Sequence, residues 1–462
     1  MTQNTKQLGT APVGRLLVRL AIPTVLAQLI NMLYNIVDRI YIGHIADVGN
    51  LALTGLGVCM PVILLISAFS ALIGYGGSPL ASISLGKGDR DHAEHILGNS
   101  ATMILLLGFI LTLLFQLFAE PLLRFFGGSD ATLPFALPYL RIYVIGTLPV
   151  MISLGLNSFI TSQGFARTGM LTVLIGAVLN ISLDPLFIFV FRMGVRGAAY
   201  ATVFSQCVSA LFVLFFLLGK KTTLRLQRKH LRLSAKIVLP MLALGVSPFI
   251  MQSTESLLNI AFNTSLRTYG GDLAVGCMTI FSSIMMLLTL PLMGLAQGAQ
   301  PIVSYNYGAG NTDRVRRAVR LLIAVSVTYS TLFWLAVQLF PGSFIRLFND
   351  DPSLVEMATW ALRIYMGAGF LMSLQFSCQQ TFLALGQAKT SLILALLRKI
   401  ILLIPLIYIL PRIVSDPLFA VFLAEPVADT LAVAATCILF FFTFRKLMSS
   451  PPQKETAGKG RP

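Results

Sequence analysis

Asn180 and Asp184, in Asn180-Ile-Ser-Leu-Asp184-Pro185, stand four residues apart inside an apolar stretch and so share one helix face. An acidic residue placed inside a membrane span is costly and marks a functional site by default. Pro185 frees a backbone carbonyl near that face by denying it an amide partner. A second carboxylate, Asp38, lies in Tyr34-Asn-Ile-Val-Asp38-Arg39, where it could equally be an interfacial charge paired with Arg39. Counted from the start of their spans, Asp38 and Asp184 fall at a similar outer depth, and Thr202 begins the following span at the same level. Two carboxylates, an amide and a hydroxyl at one depth are hard oxygen ligands suited to Na⁺. Alternatively, the two acids share a proton, because burial and mutual repulsion raise their affinity for it.

The second half carries a different set. Glu255 stands mid-span beside Gln252, and is expected to be a second cation site, a counter-charge for cationic substrates or a satisfied structural glutamate. Glu425 and Asp429 lie at i, i+4, with Pro426 between them suggesting a helix break. Gln375 and Gln379 either line a cavity or bond between helices. His92 and His95, at i, i+3 in a polar turn, could ligate a metal but have no third ligand in the local sequence. The five cysteines show no metal-type spacing and read as reduced interior residues. Neither a phosphate-binding loop nor a nucleophile elbow nor an H-E-x-x-H pattern is present, so the sequence offers no machinery for covalent catalysis, and a polytopic acyl or glycosyl transferase is disfavoured.

These residues must be positioned by membrane helices. Of 462 residues 56% are hydrophobic and 11% charged, about half the usual charged share of a soluble domain, and mean hydropathy is +0.82. The apolar blocks reach the roughly 20 residues that cross a bilayer. They predict about twelve spans, near 16–42, 51–83, 94–118, 133–160, 168–191 and 197–218, then 237–266, 273–304, 316–340, 354–383, 390–412 and 416–444. No cleavable signal is expected, since residues 2–10 are polar and span one is too long for a signal core.

A shift of 222 positions lays the second half over the first: Gly77-Ser78-Pro79 falls on Ala299-Gln300-Pro301, Gly86 on Gly308, Gly88 on Gly310, Leu140–Tyr143 on Leu362–Tyr365 and Gly164 on Gly386. Upstream the register drifts by three, setting Pro23 against Pro248. Six spans per copy make parallel repeats, the internal symmetry found in some secondary transporters. The predicted fold is therefore an all-α polytopic membrane protein with two parallel-repeat six-helix lobes. The expected division is residues 1–218 and 237–445 for the lobes, 219–236 for a basic linker and 446–462 for a disordered tail.

The net charge of +16 needs no nucleic-acid partner. With alternate loops assigned to opposite sides, 25 of the 34 Lys and Arg fall on the side of the termini, counting a turn taken as 386–399. By the positive-inside rule that side is cytoplasmic, and the chain is expected in the plasma (bacterial inner) membrane with both termini inside, in contact with lipid and as a monomer.

At these residues the chain resembles the multidrug and toxic compound extrusion (MATE) transporters. The resemblance rests on Asn-x-x-x-Asp-Pro of span five, Val-Asp38 of span one, Gly-Ala-Ala-Tyr-Ala-Thr202, Gly298-Ala-Gln-Pro301 with Tyr305-Asn-Tyr-Gly308-Ala, and Ser162-Gln-Gly164, and covers about 10–445. It implies a coupling-cation site for H⁺ or Na⁺ at Asp38, Asn180, Asp184 and Thr202, with Asn157 beside it, Pro23 as the point where span one bends, and no cofactor. The second lobe lacks this set, since Leu402 and Leu406 stand opposite Asn180 and Asp184. The implied activity is cation-coupled export of organic cations or amphipathic drugs. A flippase or exporter of a lipid-linked or polar metabolite is the alternative on the same fold; it would line its cavity with Lys and Arg, and the sequence is read as holding almost none mid-span.

Overall fold

The computed structural model describes residues 2–45 and 48–449. Every regular element among them is helical. A short helix α1 (Gln3–Thr10) leads into α2 (Val13–Gly43), α3 (Gly49–Lys87) and α4 (Arg90–Leu117). The fourth span is broken, α5 (Leu133–Ile145) and α6 (Thr147–Ser162) meeting at 60°. Then come α7 (Ala166–Val190) and α8 (Val195–Leu218). The second half opens with α9 (Ala235–Gly308), which breaks at Gly271 (φ 68°, ψ −163°) into two spans. It continues through α10 (Thr312–Leu339), the pair α11 (Pro352–Tyr365) and α12 (Met372–Ala384), α13 (Ala388–Arg412) and α14 (Pro417–Ser449). Counting each broken pair as one span and α9 as two gives six per half, the predicted twelve. Helix α14 runs unbroken through Pro426 to Ser449, so the expected break there does not form. Residues 450–462 of the expected tail lie outside the described residues.

The repeat is written into the backbone as well as the sequence. Gly88 (φ 92°) ends α3 in the left-handed conformation, and Gly310 (φ 74°), 222 positions on, does the same after α9. Gly164 and Gly386 repeat the device at φ 91° and 71°. A residue without Cβ is the inexpensive way to stop a helix there.

The lobes join on a pseudo-twofold axis. Gln297 Nε2 donates to Tyr75 Oη at 2.9 Å and Gln300 Nε2 to Ser78 Oγ at 3.3 Å, and each pair is separated by 222 positions. A residue can touch its own repeat equivalent only on the axis that relates the copies. Contacts flanking the axis come in reciprocal pairs: a Cβ on Gly86 would lie 2.0 Å from Tyr305 O, and one on Gly308 2.0 Å from Ile83 O. Both glycines sit at the helix ends that carry the basic turns, so the two backbones are in contact there and the lobes are sealed at that end. Around Pro23, α2 crosses the second arm of α9 as closely: Thr24 Oγ1 donates to Gly294 O at 2.6 Å, and Gly298 faces Ala21. Helix α2 stays helical from Val13 to Gly43 despite Pro23.

The linker is no free tether. Glu94 of α4 accepts from the Arg225 amide (3.2 Å) and Gln227 Nε2 (2.7 Å), Asn99 Oδ1 accepts from the Ser234 amide (2.8 Å), and Thr102 Oγ1 donates to Leu231 O (2.7 Å). The segment is therefore a strap along α4 that delivers the chain to the start of α9. One loop assignment is corrected. Arg398 and Lys399 lie about ten residues inside α13 and are buried, so they belong to a span and not to a basic turn. The turn ends at Gln387, where α13 begins. The charge bias falls to 23 against 9 and keeps its sign.

Candidate functional site

In the first lobe the predicted residues come together. Helix α7 presents Asn180 and Asp184 on one face, α2 brings Asp38 and α8 brings Thr202, and all four are buried. Asn180 Nδ2 donates to Asp184 Oδ1 and to Thr202 Oγ1, each at 3.3 Å. The Asp38 and Asp184 carboxyls are neighbours whose charges act on each other. Arg39 does not pair with Asp38; its guanidinium turns to Met60 Sδ. The interfacial ion pair that the sequence allowed is thus absent among the described residues. Asp38 Oδ1, Asn180 Oδ1 and Asp184 Oδ2 are buried without a hydrogen-bond partner. Buried oxygens are normally satisfied, and these three, two of them carboxylate oxygens, form a cluster of acceptors with no salt-bridge partner among the described residues. A proton shared by the acids, or a small hard cation, fits that donor set.

The helices carry local irregularities where they hold these groups. Wide π-type turns occupy Ile152–Leu156, ahead of Asn157, and Leu186–Val190, after Pro185. Such turns recur at functional positions because they re-aim side chains. Asn157 Nδ2 donates to Gly169 O at 3.2 Å, while its Oδ1 is buried and unpartnered. Tyr34, Tyr139 and Tyr143 are close enough to feel the Asp38 charge. Tyr139 and Tyr143 are site neighbours that sequence reading missed; their i, i+4 spacing on α5 was the available signal.

The second lobe holds a cluster of another kind. Arg398 Nε donates to Asp429 Oδ1 at 2.7 Å and its Nη2 to Glu425 Oε1 at 3.2 Å. Lys399 pairs with Glu255 and donates to Met251 O at 2.7 Å. Glu425 and Asp429 therefore face a guanidinium and do not break a helix. Gln375 and Gln379 are buried and bond to each other, to Thr436 and toward Ser247 and Met251, which settles their reading as interhelical. The low count of mid-span bases is corrected too: both Arg398 and Lys399 are in the lobe interior, each with an acidic partner.

Between the lobes is a cavity of about 430 Å³. Thr24, Gln28, Tyr34, Asn157 and Asn180 line it from the first lobe, and Gln252, Glu255, Met293 and Gln297 from the second. Glu255 is the only charged lining residue among the described residues, and its side chain is half exposed. The first-lobe cluster touches the same space through Asn180 and Thr202.

Two pseudo-symmetric six-helix lobes around a shared polar cavity define a polytopic membrane protein with the internal-repeat architecture of secondary transporters. A family model described as MatE matches residues 23–186 and 248–409, one segment in each lobe, and the chain belongs to that family of membrane transporters. It is similar to the "Multidrug export protein MepA" of Staphylococcus haemolyticus, 26% identical over 416 residues, which are 89% of this chain and 91% of that protein. The protein of the same description from Staphylococcus saprophyticus is 25% identical over 427 residues, 92% of this chain and 93% of that one. A solved structure described as MATE in complex with MaD3S superposes with a TM-score of 0.90 at 25% identity, covering 97% of this chain and all of that one.

Proposed function

We propose that the protein is a cation-coupled antiporter that exports organic cations and amphipathic drugs through the central cavity, with H⁺ or Na⁺ bound at Asp38, Asn180, Asp184 and Thr202. The observation that carries the reading is the first-lobe cluster, in which three buried oxygens lack hydrogen-bond partners and neither carboxylate forms a salt bridge among the described residues. Neutralising it from outside lets α2 bend at Pro23 and narrows the cavity beside Tyr34 and Asn180, expelling substrate. The lobes then rock, the cation leaves to the cytoplasm and substrate returns. Each ligand moves this equilibrium only by its differential affinity for the two states.

Cationic substrates are favoured because the half-exposed Glu255, whose charge is shared with Lys399, is the single charged lining residue and no Lys or Arg lines the cavity among the described residues. The names of the relatives, multidrug export proteins, support export of drug-like small molecules. Both termini are cytoplasmic on the basic-loop bias, and the seal at the basic ends makes this conformation the outward-facing one. The functional unit is a monomer, since both lobes and their cavity belong to one chain.

The test is efflux of a fluorescent organic cation from proteoliposomes with H⁺ and Na⁺ gradients imposed separately. Efflux that follows one gradient is expected and identifies the ion. Efflux under neither would sink the reading and turn attention to lipid-linked or polar metabolites on the same fold.

A further inference from the structure

At the cytoplasmic end of α4, far from the transport cavity, the fold assembles three ligating side chains that the sequence keeps apart. Asp91 and His95 are one turn apart on α4, and His230 arrives on the strap, 135 positions after His95. One ligand atom from each lies within 4.8 Å of the other two. His230 is 1% exposed, and neither of its ring nitrogens makes a hydrogen bond. A buried imidazole that faces carboxylates at 3.2 Å (Asp91) and 4.0 Å (Glu94) without an aligned hydrogen bond to either is unusual for a structural residue. We propose that Asp91, His95 and His230 form a divalent transition-metal site, best suited to Zn²⁺, that fastens the inter-lobe strap to α4.

The spacing fits the ion. His230 Nε2 lies 3.2 Å from Asp91 Oδ1 and His95 Nδ1 lies 3.3 Å from Asp91 Oδ2. Two ligands at about 2.0 Å from a tetrahedral zinc stand about 3.3 Å apart, close to both separations; they end on different Asp91 oxygens, so a rotation of that carboxylate brings both imidazoles onto one ligand atom. Two imidazoles and a carboxylate are a borderline donor set that selects Zn²⁺ over Mg²⁺ or Ca²⁺, with water in the fourth position. The partly exposed His95 can swing to close the remaining edge.

The strap backbone at His230 is held in register before any metal arrives. Asn99 Nδ2 donates to His230 O at 3.3 Å, and that carbonyl rests on Gly98, where a Cβ would come within 2.3 Å. Glu94 is occupied by Arg90, the Arg225 amide and Gln227, so it serves docking and not ligation. Lys229 Nζ, 3.0 Å from Asp91 Oδ1, competes for the carboxylate and holds its pKa below the usual value. Its side chain is 60% exposed and has solvent to retreat into. His92 faces an adjoining surface hollow with Lys229 and Arg232 and is no part of the triad.

The experiment uses full-length protein purified without a polyhistidine tag, incubated with ZnCl₂, desalted and assayed for zinc, with affinity measured against a chelating dye. About one zinc per chain is expected, with affinity reduced about tenfold or more in His95→Gln and in His230→Gln and unchanged in His92→Gln. His95 is on the helix surface, so its variant folds even where His230→Gln does not. As a second readout, ZnCl₂ is expected to slow tryptic cleavage of the strap in the wild type and not in His95→Gln. A wild type that retains no zinc, or a His95→Gln protein that binds it as tightly, would overturn the proposal and leave the cluster an ion-pair network.

Discussion

Asp184→Asn is expected to lower ion-driven efflux by about tenfold or more while leaving expression and thermal stability at wild-type levels. Asparagine has the same shape, so the α7 backbone and the bond to Asn180 can persist. What changes is the electrostatics. In the wild type, Asp38 Oδ1 and Asp184 Oδ2 are buried acceptors with no donor, so a cation entering the cluster gains strongly. An amide at 184 supplies its own N–H to Asp38 and removes one carboxylate charge, leaving the protein in a constant imitation of the neutralised state. A cation that no longer distinguishes two conformations cannot drive exchange between them. Substrate binding to purified protein, read by fluorescence titration, is expected to survive, because the cavity wall is otherwise intact. Normal gradient-driven efflux by the variant would remove Asp184 from the coupling site.

The fold was legible because two signals in the sequence are independent of side-chain detail. Apolar blocks of span length allow only helices across a bilayer, and the 222-residue offset fixes how many there are and how the halves relate. The axis itself became visible only in the structure, where the repeat partners Tyr75–Gln297 and Ser78–Gln300 touch. The first-lobe cluster was legible in part: Asn180 and Asp184 share a helix face by spacing alone, whereas the choice between a buried Asp38 and an Asp38–Arg39 surface pair depends on how α2 is rotated, which spacing does not determine. Arg398 and Lys399 were misplaced for a related reason. They follow a true basic turn closely in sequence, and their acidic partners Glu255, Glu425 and Asp429 stand on other helices. His230 is the same case on the strap, a ligand that becomes visible only when the strap is laid against α4.

The two lobes also differ in how their charges are balanced, and that difference assigns their roles. The first-lobe cluster has two acids and no salt bridge among the described residues, a balance the proposed coupling ion would complete. In the second lobe, Arg398 is held between Glu425 and Asp429, with Lys399 on Glu255. Arg398→Met is therefore expected to destabilise the protein severely. Removing one member of a buried charge network leaves the others without compensation, at a cost of about 3–5 kcal/mol, and here two carboxylates would be stranded together. Thermal unfolding in detergent is expected to begin well below the wild-type temperature, with poor yield of monodisperse protein. The triple variant Arg398→Met, Glu425→Gln, Asp429→Asn is expected to recover most of the loss, because neutral amides can bond to each other across the gap between α13 and α14. If the recovered triple variant also exports at the wild-type rate, the second-lobe cluster is a structural brace and ion coupling belongs to the first lobe alone. If it folds but no longer exports, these acids take part in transport. A single variant as stable as the wild type would show that the guanidinium is not what holds Glu425 and Asp429 inside the lobe.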